Sequence, residues 1–412
     1  MHKAIVPKYL QEFRCDGQKC PDNCCEGTWT IFVDEPHYKR VKRVTDTEIK
    51  PIIDQYYKRN RSNPTKESFG KLLQDKQKNS CAFLTEDKLC RLQAKLGPEY
   101  LCNVCMLYPR RTNFIKGLPI ERSLSLSCPL AAELVLLNEA GLEFEETTLD
   151  LHGRDFFTKR IDLDAVNAKR QDLAYFMELR AFSVQIIKTR DLELWKRLVI
   201  LGMFYNKVQE YLDANEAEKI PEEIERYTRM IVQGMFNELL DEIPVESVLQ
   251  MKLSKEIIEH KVFSGSNEGF SKAFWNFLQG IGFDLKDTDE ENATRYQEAY
   301  QQWYQPFMQS REYILENYLV NYAFSRMFPL TEEDSPLSSY AMLIVHFAMI
   351  KMLLIGNAAF HKEAFTESHI IEILQKFVKA VEHNPKFVDF IYKQLKKNDF
   401  LSMAHMAILI RN

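Results

Sequence analysis

Glycine is scarce in this chain of 412 residues, which holds 14 of them beside 15 prolines. Dinucleotide-binding α/β folds, P-loop domains and many-turned β-sandwiches need glycine at phosphate contacts and turns, so none of these is expected. The single Gly-x-Gly, Gly280-Ile281-Gly282, follows an amphipathic helical pattern around Trp275 to Leu278 rather than a strand, and makes a poor nucleotide loop. No His-Glu-x-x-His pair marks a zinc hydrolase, and no Gly-x-Ser-x-Gly marks a serine hydrolase. No repeat of fixed period supports a solenoid. The first residues carry no apolar run of signal-peptide length. The longest apolar stretch, Tyr340 to Gly356, is interrupted by His346 and Lys351; it falls short of a membrane span and reads as a buried core helix. The expectation is a cytoplasmic protein with no membrane insertion and no nucleic-acid partner.

Cysteine is absent beyond Cys128, yet nine lie between Cys15 and Cys128. In a reducing compartment such density argues for metal or iron–sulfur ligation rather than disulfides. One group is Cys15-x4-Cys20-x3-Cys24-Cys25, another is Cys81-x8-Cys90-x11-Cys102-x2-Cys105, and Cys128 stands alone before Pro129. Thiolates are soft ligands, four to a typical site. The adjacent Cys24-Cys25 and the long gaps suit an iron–sulfur cluster better than two zinc-type Cys pairs, although zinc stays open. So does the choice between one site and two.

Charge divides at the same place. Residues 1–128 carry a net +8 and the remainder a net −13. A basic shell suits an anionic thiolate centre, and an acidic body suits a lysine-rich partner.

The pattern predicts a mainly α protein: a Cys-rich metal-binding domain with little β over residues 1–135, then an all-helical body over 136–412. An extended piece is expected at Thr28–Val33. Helices are expected at 130–139, 164–188, 192–213, 220–241, 248–261, 268–279, 290–325, 337–355, 366–383 and 386–410. In 192–213 the apolar residues Leu194, Leu198, Leu201, Phe204, Val208 and Tyr211 recur at three- and four-residue steps. The acidic run Asp287 to Glu291 suits a helix N-terminus. In Glu312 to Phe324, Asn317 and Asn321 are four apart, as are Tyr318 and Tyr322, which gives a polar-aromatic face suited to a pocket.

Tyr9-Leu10-Gln11-Glu12-Phe13-Arg14-Cys15 with Cys20-Pro21-Asp22-Asn23-Cys24-Cys25 resembles the opening of the flagellin lysine N-methylase family. Cys81-Ala82-Phe83-Leu84, Leu89 to Gln93, Cys105 to Arg110, Ser125 to Pro129 and Leu315-Glu316-Asn317-Tyr318 continue the likeness in order. The resemblance implies a cytoplasmic enzyme that methylates flagellin lysine ε-amines, using S-adenosylmethionine and a thiol-held [4Fe-4S] cluster. It places the family cysteines at Cys15, Cys20, Cys24, Cys25, Cys81, Cys90, Cys105 and Cys128, with Cys102 as an extra thiol. Leu130 stands where the family often has an acidic residue. The chemistry asks for a group that takes a proton from the lysine ammonium, for which Tyr318 and Glu316 are candidates. Arg110, Arg111, Asn317 and Asn321 are candidates for holding the methyl donor. A looser likeness to small zinc- or iron-chelating proteins implies the alternative: a non-catalytic metal-binding module whose helical body docks a partner.

Overall fold

A computed structural model describes residues 1–26, 30–151, 154, 157–164, 170–330 and 335–412. Among the described residues, ten short strands and five short helices occupy the first part: β1 (His2–Pro7), β2 (Ile31–Val33), α1 (Glu35–Lys42), α2 (Lys50–Tyr56), β3 (Tyr57–Arg59), β4 (Gly70–Leu72), β5 (Gln74–Asp75), β6 (Ser80–Cys81), α3 (Arg91–Leu96), α4 (Asn103–Leu107), β7 (Arg110–Ile115), β8 (Ile120–Leu124), α5 (Pro129–Leu136), β9 (Phe144–Leu149) and β10 (Lys159–Ile161). The body that follows is helical: α6 (Phe176–Ile187), α7 (Leu194–Ala214), α8 (Ile220–Val232), α9 (Ser247–Phe263), α10 (Glu268–Gly280), α11 (Asp289–Ala299), α12 (Gln305–Met308), α13 (Tyr313–Arg326), α14 (Pro336–His361), α15 (Glu367–Phe377), α16 (Pro385–Lys397) and α17 (Met403–Ile410).

The protein is mainly α, as its periodicity predicts, but the expectation of little β in the first part is corrected. A five-stranded mixed sheet runs β10-β7-β8-β1-β9, with β1 parallel to β8, β7 parallel to β10, and antiparallel pairs β7–β8 and β1–β9. The central strand β8 escapes a period-two reading because it is covered on both faces. All five residues of β8, Ile120 to Leu124, are buried, three of them polar, so no alternation appears. Strands β9 and β10 lie beyond residue 135 yet belong to this sheet, and Tyr9 and Phe13 share the main core with α5 to α17. A second, smaller core holds Ile31, Val33, Ile53, Tyr57, Phe83 and Leu92 together with Cys81 and Cys102.

In the body, hydrophobic periodicity and caps fix the helices. Thr288 and Glu291 close a capping box on α11, where the acidic run was expected to start a helix. The expected helix 290–325 is instead interrupted by a π-helical turn at Tyr300–Tyr304 and by the chain between α12 and α13. The expected 386–410 splits into α16 and α17, and α8 stops at Val232, just before Gly234 at φ 68°. The start of the expected 164–188, residues 165–169, lies outside the described residues, as do Thr28 and Trp29. Helix α14 is apolar and long enough to cross a membrane, but it is enclosed by other helices along nearly all its length. Scarce glycine is used at a helix crossing: a Cβ on Gly280 would run into the Gly356 carbonyl of α14, so Gly280-Ile281-Gly282 packs helices rather than phosphate.

Candidate active site

All nine cysteines are free of disulfides. They fall into two neighbourhoods. Burial raises the thiols of Cys15, Cys20 and Cys128, and their mutual proximity and that of Cys24 add to it, while Cys24 itself is lowered by its hydrogen bond with Cys25. Cys25, Cys81, Cys90 and Cys105 form the second set, with Cys25 hydrogen-bonded to both Cys24 and Cys81. Cys102, expected to be the extra thiol, is hydrogen-bonded to Cys105 inside the smaller core. Local structure explains the placement of three of them. Cys90, Cys102 and Cys128 each immediately precede a helix (α3, α4 and α5), so the N–H groups of the first turn favour their thiolates. Burial works against this and is stronger at Cys128, whose thiol is pushed up to about 11.

The thiols fit a bound soft metal or cluster in kind and number. Among the described residues, however, no three His, Cys, Asp or Glu side chains converge tightly enough to hold a metal ion. Arg110 stands beside Cys15 and Cys128 with its guanidinium 5.1 Å from the Phe13 ring centre, and it has no carboxylate partner among the described residues.

Cys15, Cys20 and Cys128 open onto a cleft of about 550 Å³ between the Cys15–Asp22 loop, α5 and α15. The loop is fastened to α15 by Asp22, which accepts from Lys376 Nζ at 2.8 Å, Lys379 Nζ at 2.9 Å and Gln375 Nε2 at 2.7 Å. Gln375 Nε2 also donates to the Ser127 carbonyl at 2.6 Å. Behind the wall formed by Ser125 to Cys128 lies a narrow polar cavity lined by Arg111, Ser125, Tyr318, Asn321, Tyr322, Arg326 and Glu382.

Glu382 ends a π-helical turn, Val378–Glu382, that continues α15 and turns this carboxylate into the cavity. Tyr318 donates its hydroxyl hydrogen to Glu382 Oε1 at 2.8 Å, and Arg326 donates to Oε2 at 2.9 Å. Arg326, with His346 and the Tyr318 bond, overcomes burial and holds the Glu382 carboxyl below its ordinary range. Burial, with Glu382 adding to it, keeps Tyr318 protonated well beyond the usual phenol range. Arg111 is drawn down to about 9 by burial and by Arg326, and its buried Nε has no partner among the described residues. Its ladder neighbour Ser123 also has an unpartnered Oγ. His346 lies edge-on to Tyr322, both ring nitrogens unpartnered among the described residues, and burial lowers it to about 4. His383 meets Ser125 Oγ at 3.0 Å and is likewise lowered to about 4 by burial.

The structure therefore gathers Tyr318, Asn321 and Arg111 and separates the other candidates. Strand alternation sends Arg110 to the cysteine side of β7 and Arg111 to the cavity side. Glu316 does not reach the cavity: it is 1% exposed and held by Arg190 at 2.8 Å and Arg197 at 2.8 Å, so its carboxylate is engaged in a structural ion cluster. Asn317 donates to the Leu136 and Asn138 carbonyls at the end of α5. Asn321 clamps Tyr9, whose hydroxyl donates to Oδ1 at 2.5 Å, and the Leu124 carbonyl. Sequence reasoning missed Glu382, which is 64 residues from Tyr318 with no spacing to link them. Arg326 was within reach: Tyr318, Tyr322 and Arg326 continue one face at steps of four.

Thiols, an enclosed acid–base pair and an open cleft meet here on a mainly helical frame. The family model described as the FliB lysine N-methylase C-terminal domain matches residues 180–409, more than half of the chain. The chain belongs to the FliB lysine N-methylase family. It is 23% identical to the lysine-N-methylase of Salmonella typhimurium over 97% of this chain and 98% of that one. To its counterpart in Salmonella choleraesuis it is 22% identical, with the same coverage of both chains. A flagellar biosynthetic protein FliU of Salmonella muenchen is 32% identical over 32% of this chain and 75% of its own length. No solved structure matches.

Proposed function

We propose that this protein is a cytoplasmic enzyme that methylates lysine ε-amines of flagellin, with S-adenosylmethionine as the methyl donor. The observation that carries this reading is the chain's likeness to lysine N-methylases over 97% of its length. Within that frame the polar cavity, of about 10 Å³, sets two tyrosines beside a charge-paired carboxylate. A lysine ammonium, with a pKa of about 10.4, must lose its proton before its lone pair can attack. Enclosure between Tyr318 and Tyr322 disfavours the ammonium. Its proton passes to the Tyr318 oxygen as the Tyr318 hydroxyl proton moves to Glu382, which Arg326 keeps ionised until then. The neutral amine then forms a C–N bond as the donor's C–S bond breaks and its sulfur leaves with the electron pair. Arg111, with a free Nε, holds the donor's carboxylate.

Cys15, Cys20, Cys24 and Cys128 would hold a [4Fe-4S] cluster, or zinc, beside the cleft, and Cys25, Cys81, Cys90 and Cys105 a second group. Such a centre would supply Lewis acidity or electrons. Anaerobically purified protein incubated with flagellin and S-adenosylmethionine should add methyl increments to flagellin lysines by mass spectrometry. Their absence would sink the enzymatic reading and leave the metal-binding docking module. Metal analysis giving zinc alone would reject the cluster.

A further inference from the structure

The cleft in front of the cysteines has charges that the reaction does not use. Asp22 is satisfied by Lys376 and Lys379, and Asp16 faces Lys19 at 3.8 Å. Two further carboxylates line the cleft from opposite walls, Glu133 on α5 and Glu372 on α15. Both are exposed, and neither has a cationic partner among the described residues. Between them lies an apolar floor that includes Pro129, Leu130 and Ile371, and Leu130 is 36% exposed. A volume of about 550 Å³ accommodates several residues of an extended chain.

Resting on the lysine-methylating reading above, we propose that this cleft receives a lysine-bearing segment of the protein substrate. Glu133 and Glu372 take its cationic side chains, and the apolar floor takes the aliphatic stems. A second copy of the chain suits the cleft less well, because the body carries a net negative charge and would bring like charge to it. The groove also lies close to the polar cavity. Gln375 lines the cleft and Glu382 lines the cavity, seven residues apart on one continuous helical run, or about 10 Å. Ser125, which lines the cavity, and Cys128, which lines the cleft, stand in the wall between the two.

Steady-state methylation of flagellin by Glu133→Gln, Glu372→Gln, the double variant and the reversal Glu133→Lys/Glu372→Lys tests this. Rim charges of this kind act on encounter and salt dependence, at up to about 1 kcal/mol each. The KM for flagellin should rise about threefold in each single variant, about tenfold in the double and further in the reversal. The kcat should stay within twofold, and the affinity for S-adenosylhomocysteine should not change. The salt dependence of KM should flatten. Wild-type methylation with KM unmoved in the reversal variant overturns the groove while the enzyme reading stands. If wild type does not methylate flagellin, the enzyme reading fails. The groove is then judged by fluorescence anisotropy of a lysine-bearing flagellin peptide, whose binding the reversal should abolish; equal binding overturns it. Light scattering that shows the reversal changing the oligomeric state would also overturn it, in favour of self-association.

Discussion

Between Cys15 and Leu107 the chain builds strands of two or three residues, helices of five to eight, and one small core into which Cys81 and Cys102 are packed. From Phe176 to Ile410 it builds helices of up to 26 residues around a core that reaches back to Tyr9. The body buries apolar side chains on its own account. The cysteine region instead buries thiols that hydrogen-bond one another, a weak arrangement for a polar group removed from water. The two regions meet where the Cys15–Asp22 loop lies on α15, and the candidate active site is at that seam.

The largest expected effect asks which side of the seam carries the proton chemistry. Glu382→Gln keeps the shape and removes the charge, and Tyr318→Phe removes the hydroxyl. Each should lower kcat for lysine methylation by about 10²- to 10⁴-fold with little change in KM. Full activity in both variants would return the proton chemistry to the cysteine side.

Next in size is a test of the body alone. Glu316→Ala leaves Arg197, which is 3% exposed, with only Glu312 and backbone carbonyls as partners among the described residues. Breaking a buried pair in this way should cost about 3–5 kcal/mol in urea unfolding while metal content stays the same. A change in metal content as large as the loss of stability would show that the regions do not separate.

The contrast also explains what the sequence made legible. Long helices announce themselves through periodicity: Leu194, Leu198 and Leu201 sit at the core positions of α7 that their spacing implies. Tyr318 and Asn321 can be grouped from the sequence because the polar face of α13 lies within one helix. Glu382 was not, because its partnership with Tyr318 exists only after α15 and its π-helical turn pack against α13. The strands around the cysteines were equally hidden. They are two to six residues long, and β8 carries Glu121, Arg122 and Ser123 as buried polar residues, so no apolar alternation marks it. Glu316 misled for the opposite reason: proximity in sequence to Tyr318 places it on another face of the same helix.

A pH test sharpens the account of the body. Lys351 on α14 is buried, donates to the Ile410 carbonyl at 2.9 Å and lies 5.3 Å from the Tyr300 ring centre; burial draws it down to about 7. Above that pH the folded protein holds Lys351 neutral, while the unfolded chain keeps it charged to about pH 10.4. The unfolded state then binds more protons, so stability gains from this site as pH rises from 7 to 10. Wild type should gain about 3 kcal/mol over Lys351→Met across that window in urea titrations. Parallel curves would mean that the ammonium stays charged in the fold.

The smallest effect concerns the seam. Asp22 is about 16% exposed, and its partners Lys376 and Lys379 are 19% and 26% exposed. The pairs therefore lie between surface bridges, worth up to about 1 kcal/mol, and fully buried ones. Asp22→Asn keeps an oxygen for Gln375 Nε2 but removes the charge that both lysines meet, leaving two ammonium groups close together on α15. Global stability should fall by about 1–2 kcal/mol. The more telling readout is local. Hydrogen exchange should accelerate in residues 15–26, whose place on α15 depends on that carboxylate, and remain slow in α7 and α14. Acceleration throughout the body would mean that the loop is part of one cooperative unit with the helices. Unchanged exchange in 15–26 would mean that the thiols, not Asp22, hold the loop in place.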